Sequence, residues 1–168
     1  RWTFVVNPND CHGAVPEHFV KTASRPNLSI EETEINFLNG KMWIPGKGSW
    51  ETITVTYYDV GGTDASGVMQ ELFRWIASIY DFTEPTTLKQ ASANRGYFSS
   101  GELKLYDGCG TVMETWELKK MWPQAVNFGE LDYSSSEEAT IELTLRYAEV
   151  KYTSNCPTMN IQGCCIGC

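Results

Sequence analysis

Alternation of apolar and polar residues organises most of this chain. Over residues 51–59, Ile53, Val55 and Tyr57 point one way while Thr52, Thr54, Thr56 and Tyr58 point the other, the period of two of a strand with one buried face. Residues 139–152 repeat the pattern, with Ile141, Leu143, Leu145 and Tyr147 set against Thr140, Glu142, Thr144 and Arg146. Further strands are expected at 2–6, 101–107, 111–118 and 124–133, with Asp107-Gly108-Cys109-Gly110 as a tight turn. Residues 32–38 and 41–44 read as a hairpin about Asn39-Gly40, because both residues tolerate positive φ. Pro45-Gly46 then breaks the pattern. One segment changes period: Val68, Met69, Leu72, Phe73, Trp75, Ile76 and Ile79 recur at three and four residues and predict a helix over 68–80. Gln70, Glu71 and Arg74 fall off its apolar face, and Asp64 or Ser66 is placed to cap it. Residues 17–28 have no clear period, and 81–100 turn polar around Pro85 and Gly96. Many antiparallel strands and one helix predict a mainly β fold, a sandwich or barrel with one flanking α-helix and a protruding hairpin loop.

The length of 168 residues fits one domain with a real core. We divide it into a β-sandwich over 1–153 and a Cys-rich extension over 154–168. The apolar content of 42% is that of an ordinary globular chain. No apolar run has the length of a transmembrane helix, and no signal-peptide pattern opens the chain, so no membrane anchoring is expected. The chain begins inside its first strand without an initiator Met, so further residues are expected before Arg1. A net charge of −8 argues against a nucleic-acid binder that holds phosphates on a basic stripe. It is compatible with a wall that nucleic acid slides past, and equally with a simple solubility device.

The residues that bear chemistry are few. Cys11 and His12 are adjacent, and neighbours in an extended chain face opposite ways, so they make a poor thiol–base pair. Cys11 as a small buried residue is the better reading. Glu31-Glu32-Thr33-Glu34 and Glu137-Glu138 read as solvated faces rather than an acid–base pair. Gly61-Gly62 lacks the lysine and the strand-to-helix setting of a phosphate loop. Cys156, Cys164, Cys165 and Cys168 crowd the C-terminal end. They are candidates for disulfides within or between subunits, for a tetrahedral metal site, or for reduced thiols. No enzyme activity, no cofactor and no metal site are expected. Six tryptophans are many for this length, and Trp43 and Trp50 flank Pro45-Gly46 where the local core is thin. Either they fold back onto the sandwich or they meet another molecule, where Trp is favoured.

The stretch from Glu34 to Asp59, with Asn39-Gly40 and Trp43-Ile44-Pro45-Gly46 at its centre, resembles the tail tube proteins of contractile-tailed bacteriophages. The likeness takes in Cys11-His-Gly-Ala-Val-Pro-Glu17, Glu71-Leu-Phe-Arg-Trp-Ile76, Trp116-Glu-Leu-Lys-Lys-Met-Trp-Pro123, Phe128-Gly-Glu-Leu-Asp132 and Ile141-Glu-Leu-Thr-Leu-Arg-Tyr147, in that order. The Cys-rich end lies outside it. The resemblance implies hexameric rings whose sheets join into a barrel around a channel, stacked as the inner tube of a virion tail assembled in the bacterial cytoplasm. It implies that Phe37, Leu38, Asn39, Met42, Trp43, Ile44 and Trp50 form a subunit interface. Thr52, Thr54, Thr56, Thr140, Glu142 and Thr144 are then candidates to line a net-negative lumen. The implied partners are further copies of the chain, a tail sheath protein, and baseplate and tail-terminator proteins, with DNA only in transit when the sheath contracts. Other readings are the tube subunit of a phage-like injection particle or secretion system, a baseplate tube-initiator paralogue and, remotely, a hydrolase.

Overall fold

A computed structural model describes residues 1–9, 13–15, 17–59, 67–84, 96–129 and 138–154. Cys11, His12, Asp64, Ser66, Glu137 and the four C-terminal cysteines lie outside these residues, so the readings attached to them are not addressed. The strands are β1 (Trp2–Val6), β2 (Val20–Ala23), β3 (Leu28–Phe37), β4 (Gly40–Trp50), β5 (Ile53–Tyr58), β6 (Ser99–Tyr106), β7 (Val112–Asn127), β8 (Thr140–Arg146) and β9 (Glu149–Ser154). One helix, α1 (Val68–Ala77), separates β5 from β6, and a 3-10 turn, Glu17–Phe19, precedes β2. Among the described residues the fold is mainly β, antiparallel throughout, with one α-helix, as expected.

The strands run β1-β6-β7-β8-β5-β2, with β9 joined to β7, and β3 and β4 form a separate two-stranded sheet. Strand β7 makes the corner between two layers. Its first half pairs with β6 on one side and β9 on the other, while its second half, from Trp122, pairs with β8. Separate strands are expected at 111–118 and 124–133, but the chain runs through as one. Lys120 takes φ 54 and turns the strand just before Trp122. Pro123, which has no N–H to give a ladder, sits at a register irregularity against β8. The expected long strand over 139–152 is instead two strands, β8 and β9, with Tyr147 and Ala148 between them.

The core follows the alternation. Ile53, Val55 and Tyr57 of β5 meet Ile141, Leu143 and Leu145 of β8, and Phe4, Val6, Leu103, Leu118 and Met121 come from the other layer. Helix α1 closes one side through Val68, Leu72 and Trp75. The buried indole N–H of Trp75 donates to the Tyr97 carbonyl at 2.8 Å, as a polar group so placed must. Two helix expectations are corrected. Phe73 is exposed rather than core-facing, and Glu71, read as off the buried face, is only 6% exposed. Its carboxylate is satisfied locally, by Arg74 one turn on and by the backbone N–H of Gly13. The N-cap position is taken by Gly67 without a side-chain bond, and the helix ends at Ala77.

Candidate functional site

Two surfaces gather the residues singled out from the sequence. The first is the β3–β4 hairpin, whose strands pair with each other and with no other strand. Register puts Thr33 opposite Ile44, Ile35 opposite Met42 and Phe37 opposite Gly40, so these six share one face. Glu34, Asn36, Lys41 and Trp43 share the other, where Lys41 Nζ lies 2.7 Å from Glu34 Oε1. One face of the outer hairpin is therefore uncharged and apolar, and the other carries an ion pair beside one indole. Nearer the base, Leu28 and Ile30 are also exposed. The register slips by one residue near Pro45, where β4 spends an extra residue against β3. Glycine suits position 46 in that bulge, because a Cβ there would stand a tight 3.1 Å from the Glu31 carbonyl oxygen.

The turn itself differs from expectation. Phe37 pairs with Gly40, so the two loop residues are Leu38 and Asn39, not Asn39 and Gly40. Leu38 takes φ 46, a left-handed conformation, and is 94% exposed. Of the expected interface residues, Phe37, Leu38, Asn39, Met42, Trp43 and Ile44 are exposed on the hairpin. Trp50 is not among them in kind. It packs against the core at the hairpin's base, its ring centroid 6.3 Å from that of Tyr147. The two tryptophans thus divide between the two readings, Trp50 folding back and Trp43 facing out.

The second surface is the outer face of the layer β7-β8-β5-β2. Thr54 stands opposite Thr144, Thr56 opposite Glu142 and Tyr58 opposite Thr140. Thr22 of β2 joins them, its hydroxyl 2.9 Å from that of Thr56. Thr52 stands one residue before β5. The expected lumen candidates therefore share one polar face or adjoin it. A bulge in β2 brings Lys21 to the same face, 5.3 Å from the centre of the Tyr58 ring. Glu142 is the sole carboxylate in β2, β5, β8 and the second half of β7, set against Lys21 and Arg146. The acidity of the chain is not concentrated on this face. It is rich in hydroxyls and nearly neutral.

A third feature was not anticipated. Ile76, Ile79, Tyr80 and Phe82 from the end of α1 and beyond, with Trp122, Pro123, Gln124, Ala125, Val126 and Phe128, enclose a groove of about 350 Å³. Its Phe82 wall is stacked on Phe73 with centroids 4.5 Å apart and meets Tyr80 edge-on at 5.3 Å. The relevant sequence signal was the excess of apolar residues on α1 beyond what one buried face can use.

Among the described residues no group of three or more His, Cys, Asp and Glu is placed to hold a metal. No described helix is long and apolar enough to cross a membrane. His18 lies exposed in the 3-10 turn with its ring against Phe19.

No protein-family model matches the chain, and no curated protein matches it significantly. Solved structures do. A chain of the sheath–tube complex of an extracellular contractile injection system (PVC) in its extended state superposes with a TM-score of 0.67 at 22% identity, over 92% of this chain and 88% of that one. The tube-terminating cap of the anti-feeding prophage gives 0.64 at 20% identity, over 90% and 87%. A mutant of the Hcp1 protein from the E. coli EAEC 042 pathovar gives 0.50 at 12%, over 92% and 91%. The chain has the fold of contractile-injection-system tube and terminator proteins and of Hcp proteins.

Proposed function

We propose that this chain is a structural subunit of the hollow inner tube of a phage-like contractile injection particle. Six copies close into a ring, and rings stack into a tube within a sheath, between a baseplate and a terminator. The observation that carries the reading is Leu38. A non-glycine residue in the left-handed region costs about 1–2 kcal/mol, and Asn or Gly, both available in the next two positions, would reduce that cost. Leu38 makes no return on it within its own chain, since its side chain stands almost wholly in solvent. Strain held at an exposed apolar tip marks a contact with another molecule. Phe37, Met42 and Ile44 extend the same uncharged face, and each apolar side chain covered there contributes roughly 1.5–3 kcal/mol.

The same geometry gives each copy further means of joining. Strands β1, β2 and β9 each have one side without a strand partner among the described residues. A bare edge is a hazard on a monomer and a joint in a ring. The hydroxyl-rich face of β2, β5 and β8 is the candidate channel wall, because the opposite face of those strands is already spent on the core. A wall of threonines with one carboxylate and two cations offers neither a continuous basic stripe to hold phosphate nor an apolar strip to hold a polypeptide.

A phage tail tube that conducts DNA is the second reading, and the charge of −8 is compatible with it, since phosphate would not be retained by the tube as a whole. Electron microscopy of the purified protein tests the shared part. Hollow tubes or six-membered rings are expected, and a protein that remains monomeric at high concentration would overturn it. Nuclease-protected DNA inside intact particles would select the phage reading, and protected protein without DNA the injection-particle reading.

A further inference from the structure

We infer that the groove between the end of α1 and the second half of β7 is the socket for the hairpin tip of a second copy of this chain. The inference rests on the tube reading and names the surface that receives the hairpin. The charge pattern carries it. One residue in five of this chain is charged, yet none of the ten groove residues is. Nor is any residue of the hairpin face formed by Thr33, Ile35, Phe37, Gly40, Met42 and Ile44. Copies that each carry −8 repel over most of their surfaces. Two uncharged apolar patches are where they approach at the least Coulombic cost.

Shape agrees with charge. Opposite Phe37 stands Gly40, so no neighbouring side chain flanks the ring across the strand pair, and it projects as a knob beside Leu38. The groove is a cleft with a formed aromatic wall, Phe82 held between Phe73 and Tyr80, so little ordering cost remains when it is filled. The hairpin does not enter the groove of its own copy, since Phe37 and Leu38 stay exposed. Ten residues of β3 carry the tip roughly 30 Å from its base, a reach that suits a neighbour. With the apolar face turned into the groove, the Glu34–Lys41 ion pair on the opposite face stays in water, which avoids burying a charge.

The test uses the whole protein with the photoreactive p-benzoylphenylalanine in place of Phe37, assembled from a mixture of isotopically light and heavy copies. After irradiation, mass spectrometry should find light–heavy crosslinks from the hairpin to residues 76–82 or 122–128. Crosslinks that fall elsewhere on the second copy, or none at all in tubes that have formed, would overturn the socket while leaving the tube reading intact. A wild-type protein that forms no assembly would remove the tube reading itself. Ala125→Glu supplies an independent arm, because Ala125 is exposed in the monomer and its change spares the core. It should raise the concentration needed for assembly by at least about tenfold with an unchanged denaturation midpoint. Unchanged assembly would count against the socket.

Discussion

The carboxylate of Glu71 accepts the backbone N–H of Gly13 at 2.6 Å while Arg74, one turn further along α1, donates to its other oxygen at 2.6 Å. The helix is thereby tied to the segment that follows β1. A buried acid is tolerated here because both oxygens are occupied, one by an amide and one by a guanidinium that is itself half in water. Glu71→Ala would leave the Gly13 amide without this acceptor and should destabilise the subunit by about 1–3 kcal/mol. Arg74→Ala removes only the solvent-facing partner and should cost about 1 kcal/mol or less. Urea denaturation of both variants checks the order. Equal losses would mean that the ion pair, and not the bond to Gly13, is what matters.

Leu38 allows stability and assembly to be separated in one residue. Leu38→Gly relieves the left-handed backbone and removes an exposed side chain. The isolated subunit should be as stable as wild type or about 1 kcal/mol more stable, while tube formation is lost or much weakened. Met42→Asp should also block assembly without unfolding the subunit, by adding an uncompensated charge to the exposed apolar hairpin face that is covered in the tube. Thermal melts alongside electron microscopy read both quantities. Normal tubes from both variants would show that the hairpin tip is not an interface.

Along α1 the depth of a side chain should set the cost of its removal. Leu72 is fully buried and Ile76 only partly so, at the groove. Leu72→Ala should cost about 2–5 kcal/mol. Ile76→Ala should cost less, because solvent or a partner can adjust to the gap, and its larger effect should fall on assembly. Denaturation midpoints measured for the two monomers decide the matter.

What the sequence revealed, and what it hid, follows from which physical signal each feature carries. The alternation of Ile53, Val55 and Tyr57, and of Ile141, Leu143 and Leu145, is imposed by burial on one face, so β5, β8 and the polar face of each were legible from residue order, while their pairing into one face emerges only in the fold. The hairpin turn was not. Moving the loop from Asn39-Gly40 to Leu38-Asn39 keeps Ile35, Phe37, Met42 and Ile44 on one face, so the apolar pattern is blind to the shift. Only turn chemistry speaks to it, and turn chemistry favours the arrangement that is not adopted. Pro123 misled for a related reason. Proline is excluded from regular ladders, but β7 changes partner at that point and leaves room for it. Glu71 read as a surface residue because Arg74, one turn along the same helix, looks like a solvent-side partner, while the Gly13 amide reaches it only in the fold. The groove escaped notice because Phe82 lies in a segment with no periodicity of its own, and Phe128 lies just past the end of β7 rather than within a strand.

The core holds two phenols whose hydroxyls have no hydrogen-bond partner among the described residues, and they set a response to alkali. Tyr57 and Tyr147 are both buried, and neither hydroxyl has a partner among the described residues. Burial raises the Tyr57 pKa well above the ordinary phenol range. It pushes Tyr147 up to about 12, burial being the largest influence and Arg146 the main opposing one. In the unfolded chain both ionise near the ordinary value of about 10. Above that pH the unfolded state sheds protons that the folded state keeps, so stability falls as pH rises. The loss should be absent below about pH 10 and should deepen as pH climbs through about 12, the Tyr147 value. Tyr57→Phe removes a buried hydroxyl that gains nothing from its surroundings. At neutral pH it should lie within about 1 kcal/mol of wild type, on the stabilising side. At pH 11 its advantage over wild type should be larger, since only the wild-type unfolded state can then ionise a phenol at this position. Urea midpoints for wild type and Tyr57→Phe at pH 7, 10 and 11 test the argument. A wild-type midpoint that holds steady through pH 11, or a constant difference between the two proteins, would show that the Tyr57 hydroxyl reaches solvent.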